Sequence, residues 1–584
     1  MKMFLSGNEA VARGAWEAGV NVVSAYPGTP STEILENLAK YQEVYAELAT
    51  NEKVGFEVAA GATFGGARAL TCMKHVGLNV AADPLFSMAY IGAKGGFVVV
   101  SADDPGMHSS QNEQDNRYYA KMAKIPCLEP SDSQECLEMA KLAFELSEKY
   151  DTPVLLRLTT RISHSKGVVE VGERVEHKPS GYVKDIAKNI TIPAHARKMH
   201  VKVEDRLKRL AEYGESFPYN RVEKGDKKLG IITSGISYQY AKEVFPQASF
   251  LKLALTHPLP EKLIADFIAS VDQVYIIEEN DPFLEEQIRA RGYSASGKCV
   301  FDKPVVGKDK VPMVGELDPT AVARGFGLQK PSPYQPLDLP ARPPVLCPGC
   351  PHRGVFYALN RLKMTVTGDI GCYTLGMMEP LNAMDTVICM GGSVTAAMGL
   401  EKALGPELAK RTVAVIGDST FFHSGITGLI DMVYNNAQGT VIILDNRITA
   451  MTGHQENPGT GRTLQGQAAP VIELEPLVRS CGVKHIQITD PLDLKATEAA
   501  IKKAANNPGV SVIIAKSPCI LIEKKFKPAL RVDEAKCVGC KICLKLGCPA
   551  ISFDRAKNKS HIDPMLCIGC GVCATLCPKG AMGS

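Results

Sequence analysis

Eight cysteines lie between residues 537 and 577, and their spacing limits what this end of the chain can fold into. Cys537, Cys540, Cys543 and Cys548 form one run, closed by Pro549; Cys567, Cys570, Cys573 and Cys577 form a second, closed by Pro578. The other ten of the 18 cysteines are scattered over the rest of the chain. A Cys-x-x-Cys-x-x-Cys loop turns three thiolates toward one centre, and soft thiolates select iron–sulfur clusters, with zinc the weaker reading. In a paired arrangement the last cysteine of each run serves the other cluster. Cys537, Cys540, Cys543 and Cys577 then hold one cluster, and Cys567, Cys570, Cys573 and Cys548 the other. Four residues precede Cys548 in its run where three precede Cys577, which leaves the nuclearity of the Cys548 cluster open.

At 584 residues the chain exceeds one hydrophobic core and suggests roughly three to five domains. A net charge of +3 with 22% charged residues advertises neither a nucleic-acid surface nor an acidic tail. No apolar run approaches the roughly 18 residues needed to span a membrane. The expectation is a soluble cytoplasmic protein whose clustered thiols bind metal rather than form disulfides.

Residues 1–175 alternate short apolar strands with helical patterns, as do 229–330 and 345–522, so the chain reads as three α/β domains. A charged segment, 176–228, carries an apolar helical stripe of Met199, Val203, Leu207 and Leu210 and is expected to pack on a neighbour. Six prolines between 331 and 344 predict a stiff connector. Residues 528–584 form the cysteine-rich end.

The third α/β domain holds the next chemical signal. Gly417-Asp418-Ser419 follows the strand pattern Val413–Ile416, and Asp445-Asn446 follows Val441–Leu444. Both acceptors sit at strand carboxyl ends, the edge where parallel sheets bind ligands. Asp418 and the Asn446 amide oxygen are hard ligands suited to a Mg²⁺ that also takes phosphate oxygens, so the pair asks for a diphosphate. Met390-Gly391-Gly392-Ser393 opens a helix where backbone, at Gly392, can approach such a ligand closely. In the first domain, Glu52 starts a helix rich in small residues. Tyr26-Pro27-Gly28-Thr29-Pro30-Ser31 closes a strand, with Thr29 or Ser31 placed to cap the helix near Thr32 or to meet a substrate carboxylate. The loop from Asp103 to Asn112, with His108, is a further candidate for lining a site.

Together these motifs resemble the 2-oxoacid:ferredoxin oxidoreductases, and the resemblance covers essentially the whole chain. The segments Thr71–Asn79, Asp103–Asn112 and Cys347-Pro348-Gly349-Cys350-Pro351-His352 are most similar to the α-subunit family of the indolepyruvate ferredoxin oxidoreductases. The resemblance implies a pyrimidine-binding domain, a transketolase C-terminal-like domain, a diphosphate-binding domain and an α+β bacterial ferredoxin domain with two clusters, of 4Fe-4S type. It implies Glu52 against the aminopyrimidine of thiamine diphosphate, and Mg²⁺ on Asp418, Asn446 and the carbonyl of Ile448, with Gly371, Cys372 and Ser419 near the cofactor. The implied reaction converts aryl-pyruvates, coenzyme A and oxidised ferredoxin to aryl-acetyl-CoA, CO2 and reduced ferredoxin, with a smaller β subunit, in a hetero-oligomer with two or more α chains. No nucleic acid or membrane is expected as a partner.

Two other classes share parts of this pattern. A non-oxidative thiamine-dependent decarboxylase or ligase has no use for eight cluster cysteines, and an electron-transfer subunit has none for Glu52, Asp418 and Asn446. The family resemblance also implies a cluster on the Cys-Pro-Gly-Cys segment, where Cys347, Cys350 and Cys372 supply three sulfurs. Cys389, Cys481 and Cys519 lie in or beside apolar or helical patterns with no turn to present them, so the sequence predicts that this third cluster is absent.

Overall fold

The computed structural model describes residues 1–292, 301, 303–328, 337–340, 342–524 and 526–583. They divide into two compact units, residues 1–337 and 338–584.

The first unit is built on a seven-stranded sheet. Its strands run Leu255–His257, Cys127–Leu128, Val154–Thr159, Phe97–Asp103, Ala69–Lys74, Val22–Ala25 and Tyr45–Leu48 in spatial order. All neighbours are parallel except the first pair. Ala69–Lys74, Phe97–Asp103 and Val154–Thr159 are buried at every position, which is why their apolar residues occupy both faces rather than alternating with exposed ones. The Glu52–Phe64 helix starts at Asn51, whose side chain accepts from the Val54 N–H at 2.9 Å. Gly55 lets that helix lie on the Val22–Ala25 strand: a Cβ there would stand 3.1 Å from Ala25 Cα.

A second, five-stranded sheet spans Arg221–Glu223, Asp226–Ser234, Ala248–Leu253, Val274–Ile277 and Val305–Val306. Its chain also contributes Leu255–His257 to the edge of the first sheet, so the predicted boundary near 229 does not separate two independent sheets. The Pro193–Gly214 helix buries Met199, Val203 and Leu210 of the stripe and leaves Leu207 half-buried. It also buries Arg206, whose guanidinium donates to the carbonyls of Ala89 at 2.6 Å and Asp151 at 2.9 Å.

Buried charge ties the two sheets together. Arg157, 4% exposed, donates to Asp103 at 2.8 Å, Glu129 at 3.0 Å and Asn280 at 3.1 Å. Arg117, 1% exposed, donates to Asp115 and to Glu278 at 2.8 Å. Acids outnumber arginines here, and burial pushes the carboxyls of Asp103 up to about 6 and Glu279 up to about 7.

The second unit carries a six-stranded parallel sheet in the order Thr386–Val387, Thr365–Gly368, Thr412–Gly417, Gly439–Asp445, Val510–Lys516, His485–Thr489. The cysteine-rich end adds two small antiparallel pairs, Arg531–Val532 with Met582–Gly583 and Ile551–Asp554 with Lys559–Ile562. Leu546, Val572 and Met582 of this end share one core with Leu346, Phe356 and Val415 of the sheet domain. The proline-rich connector lies partly outside the described residues. Among the described residues no helix is long and apolar enough to cross a membrane.

The raised carboxyls set a pH dependence. A carboxyl whose folded pKa exceeds its unfolded value keeps its proton in the folded state while the unfolded chain has lost it, so stability falls as pH rises through that window. Urea midpoints of the intact chain should therefore fall between about pH 4 and pH 7. Glu279→Gln should remove much of that slope, on the order of 2 kcal/mol, and a slope unchanged in the variant would contradict the assignment.

Candidate functional site

The sheet of the second unit changes winding direction beside the Thr365–Gly368 strand, whose chain neighbours in sequence, Thr386–Val387 and Thr412–Gly417, lie on its two sides. Ligands of open parallel sheets sit at the carboxyl ends of strands at such a point. Three loops meet there. Tyr373 Oη donates to Ile370 O at 3.0 Å and Thr420 Oγ1 to the same carbonyl at 3.1 Å, binding loop 369–373 to loop 418–420. Thr449 Oγ1 donates to Ser419 Oγ at 2.8 Å, binding the third loop, after Asn446, to the second. Arg447 adopts a left-handed backbone with φ 60°, so Asn446 and Ile448 turn back toward Asp418. Its guanidinium is held by Asp445 at 3.3 Å and Glu473 at 3.1 Å.

One terminal atom of the Asn446 amide lies 2.8 Å from the Ile448 carbonyl oxygen and 3.1 Å from Asp418 Oδ1. As nitrogen, that atom donates to both. As oxygen, it completes a set of three hard oxygens with no proton between them, an arrangement that a cation stabilises. Burial pushes the Asp418 carboxyl up to about 7, and Asp445 adds to the push. The three residues fit a divalent ion that neutralises this buried charge.

The structure directs the Gly391 and Ser393 N–H groups to Asp369, at 3.0 and 3.1 Å. Asp369 caps the Gly392–Leu404 helix from another loop. Its role is invisible in sequence because capping residues are ordinarily sought just before the helix. Gly371 packs its backbone on the Tyr373 ring, and Cys372 begins a short 3-10 turn, Cys372–Met377.

The Cys347–Cys350 loop rests on the cysteine-rich end. Gly349, Gly539 and Gly569 occupy the same place in three Cys-x-Gly-Cys loops and all have φ near 70°, a backbone that glycine adopts without strain. A Cβ on Gly349 would overlap Ile568, between Cys567 and Gly569. Arg353, 4% exposed, donates to the carbonyls of Leu346 at 2.6 Å, Cys347 at 3.1 Å, Leu546 at 3.1 Å and Gly547. Burial pushes the Cys573 thiol up to about 12, and charge on Cys570, Cys548, Cys567 and Cys543 adds to it. Cys519, which the sequence left without a presenting turn, follows the Val510–Lys516 strand at the same sheet edge, its N–H on Asn446 O at 2.9 Å. Its charge bears on Cys372 and is itself affected by Cys347.

In the first unit, Glu52 is 6% exposed at the first turn of its helix. Gly77 faces it: a Cβ there would stand 2.7 Å from Glu52 Cγ and 2.8 Å from Oε1. Thr29 is half-buried. Ser31 stands before the Thr32–Leu38 helix but does not cap it, since its hydroxyl donates to Gly28 O at 2.8 Å. The Asp103–Asn112 loop is folded rather than merely solvated. Asp104 accepts from Ser109 N at 2.8 Å, Ser110 Oγ at 2.6 Å and Thr160 Oγ1 at 2.6 Å. His108 is exposed and its imidazole meets Glu316 at 3.2 Å.

Comparison with known proteins places these features. Residues 13–206 match the thiamine-diphosphate-binding region of pyruvate flavodoxin/ferredoxin oxidoreductases. Residues 369–515 match the C-terminal binding domain of thiamine pyrophosphate enzymes, and 531–581 a 4Fe-4S dicluster domain. The indolepyruvate oxidoreductase subunit IorA of Archaeoglobus fulgidus is 44% identical, over 100% of this chain and 97% of that one. The IorA subunit of Methanothermobacter thermautotrophicus is 43% identical over the same shares. The chain belongs to the 2-oxoacid:ferredoxin oxidoreductase family, with the IorA subunits. A solved 2-oxoglutarate:ferredoxin oxidoreductase from Magnetococcus marinus superposes with TM-score 0.43 at 19% identity, covering 56% of this chain and 65% of that chain.

Thiamine diphosphate and iron–sulfur clusters are the cofactors of this oxidoreductase subunit. Within it, three residues at the described sites escaped the sequence reading: Gly77, Asp369 and Arg353. Gly77 lies inside Thr71–Asn79, quoted above for family likeness alone; Asp369 and Arg353 act across the fold and leave no local pattern. Asp418→Ala should weaken thiamine diphosphate binding by at least tenfold in the presence of Mg²⁺ if the three oxygens hold the ion, because it removes the charged one. Titration calorimetry checks this, and unchanged affinity would mean that the oxygen set has been misread.

Proposed function

We propose that this chain is the catalytic subunit of an indolepyruvate oxidoreductase. With coenzyme A it converts an aryl-pyruvate to aryl-acetyl-CoA and CO2, and the two electrons released reduce two oxidised ferredoxins, with one proton left over. It works with a smaller β subunit, in the cytoplasm, in an assembly with two or more copies of this chain. The observation that carries the reading is the convergence of Asp418, Asn446 and Ile448 in a unit whose core is shared with the dicluster segment. A non-oxidative decarboxylase has no need of the second, and an electron carrier none of the first.

Bound thiamine diphosphate supplies the electron sink for loss of CO2. Asp418, the Asn446 amide oxygen and the Ile448 carbonyl would hold a Mg²⁺ that helps anchor the diphosphate. Glu52 would hydrogen-bond the ring nitrogen of the aminopyrimidine through its carboxyl, and Gly77, without a side chain, leaves room for that carboxyl. Cys537, Cys540, Cys543 and Cys577 hold one cluster; Cys567, Cys570, Cys573 and Cys548 hold the other. Arg353 keeps the cluster-bearing end seated on the sheet domain.

Reduction of a viologen dye that requires both the 2-oxoacid and coenzyme A tests the reaction, and indolepyruvate should give a higher kcat/KM than pyruvate. Glu52→Gln should keep the cofactor bound and lower turnover by about 100-fold, the scale of a lost proton-transfer partner. Normal turnover would remove Glu52 from the mechanism. Iron analysis of anaerobically purified protein should give about eight irons per chain, for two four-iron clusters. About twelve, falling with Cys519→Ser, would show that Cys347, Cys350, Cys372 and Cys519 hold another.

A further inference from the structure

Lys74 ends the fully buried strand Ala69–Lys74 and is itself only 9% exposed. Its Nζ donates to Ser109 O at 2.7 Å and Ser109 Oγ at 3.1 Å. Among the described residues no carboxylate is in ion-pair contact with it. Asp104, the nearest acid acting on it, has its oxygens engaged by Ser109, Ser110 and Thr160. The adjacent His75 adds no partner: it is fully buried, its Nε2 meets Asn112 O at 3.2 Å, and burial pushes it down to about 4, so it stays neutral.

A buried ammonium without a counter-charge is costly. Holding Ser109 does not account for it, because a neutral donor makes the same bonds with far less desolvation. The buried arginines of this unit differ: Arg117 and Arg157 are held by several carboxylates, and the guanidinium of Arg206 spreads its charge over two carbonyl oxygens. The positive charge at Lys74 lacks such a carboxylate and has one donor still available. Burial also pushes its pKa down to about 8, the direction expected of an uncompensated cation.

Position identifies the missing anion. Gly28, next to Thr29, lies on the stem of Lys74: a Cβ at Gly28 would stand 3.0 Å from Lys74 Cβ. Gly77, three residues after Lys74 in the turn that opens the His75–Val80 helix, packs on the Glu52 carboxyl. Lys74 and Glu52 are therefore served by the same helical turn. In a 2-oxoacid the carboxylate is bonded directly to the reacting keto carbon, whereas the phosphates of coenzyme A are many bonds from its thiol. A cation whose backbone lies three residues from the glycine that packs on Glu52 suits the former. Ser109, which covers the ammonium, is exposed, so a single loop separates Lys74 from an arriving ligand.

We propose that Lys74 binds the carboxylate of the 2-oxoacid substrate through the ammonium that holds Ser109 in this structure. The inference rests on the placement of the reaction at Glu52.

The complete oxidoreductase, with its partner subunit, is assayed for dye reduction in the presence of two competitors, indole-3-propionate and its amide. They differ in the carboxylate alone. The wild-type chain should favour the acid at least tenfold. Lys74→Gln keeps a donor for Ser109 without the charge; it should abolish that preference and raise the KM for indolepyruvate at least tenfold with the KM for coenzyme A unchanged. Lys74→Arg should restore most of the preference. An acid preference that survives in Lys74→Gln overturns the proposal, as does a rise confined to the KM of coenzyme A. Equal damage from Gln and Arg would assign Lys74 to loop structure and also overturn it. Glu52→Gln separates the two readings. If that variant turns over normally, the placement of the reaction fails; if it is inactive while Lys74→Gln keeps the acid preference, only the role of Lys74 fails.

Discussion

The second unit depends on one buried guanidinium. Arg353 gathers carbonyl oxygens from Leu346 and Cys347 on one side and from Leu546 and Gly547 on the other, closing the cysteine-rich end onto the loop that opens the sheet domain. A flat, permanently charged fork with several donors is suited to this, since each carbonyl engaged offsets part of its desolvation. The contact also brings Ile568 onto Gly349, so the Cys567–Cys570 and Cys347–Cys350 loops are neighbours. Electron carriers have to be placed, and here a charge-assisted hydrogen-bond clamp together with a shared apolar core does the placing.

The first unit uses charge in two different ways. Between the two sheets, Arg117 and Arg157 are surrounded by acids, a structural network in which excess carboxyls keep their protons. At the end of the Ala69–Lys74 strand the reverse holds, and a cation is buried without an acid. The same physical cost, desolvation of a charge, is met internally in one place and left to be met in the other. Asp418 belongs with the second case: its buried carboxyl faces the Asn446 amide and, with the amide oxygen turned inward, would be stabilised by a cation.

Much of the site was legible because its chemistry is local. Asp418 and Asn446 stand one step beyond apolar runs, and a run that must be covered on both faces announces a parallel strand and hence its ligand-binding end. The cysteine spacings announce clusters because three thiolates can surround one centre only from a short loop. Asp369, Arg353 and Cys519 were not legible. Asp369 caps a helix from a different loop, Arg353 joins segments nearly two hundred residues apart, and Cys519 reaches the site only because its strand is paired beside Gly439–Asp445. The position of His108 was equally hidden, since its partner, Glu316, belongs to the second sheet's part of the chain.

The sequence by itself determined the strand-end ligands, the helix that begins at Glu52 and the two cysteine runs, because each depends on spacing within a few residues or on the period of apolar positions. Tertiary structure alone decided which glycine makes room for Glu52, which strand from the second sheet completes the first, which arginine seats the cluster domain and which lysine is left without a counter-charge. Those outcomes depend on contacts between residues far apart in the chain, and on burial, which turns an ordinary lysine or aspartate into a group whose charge has to be answered.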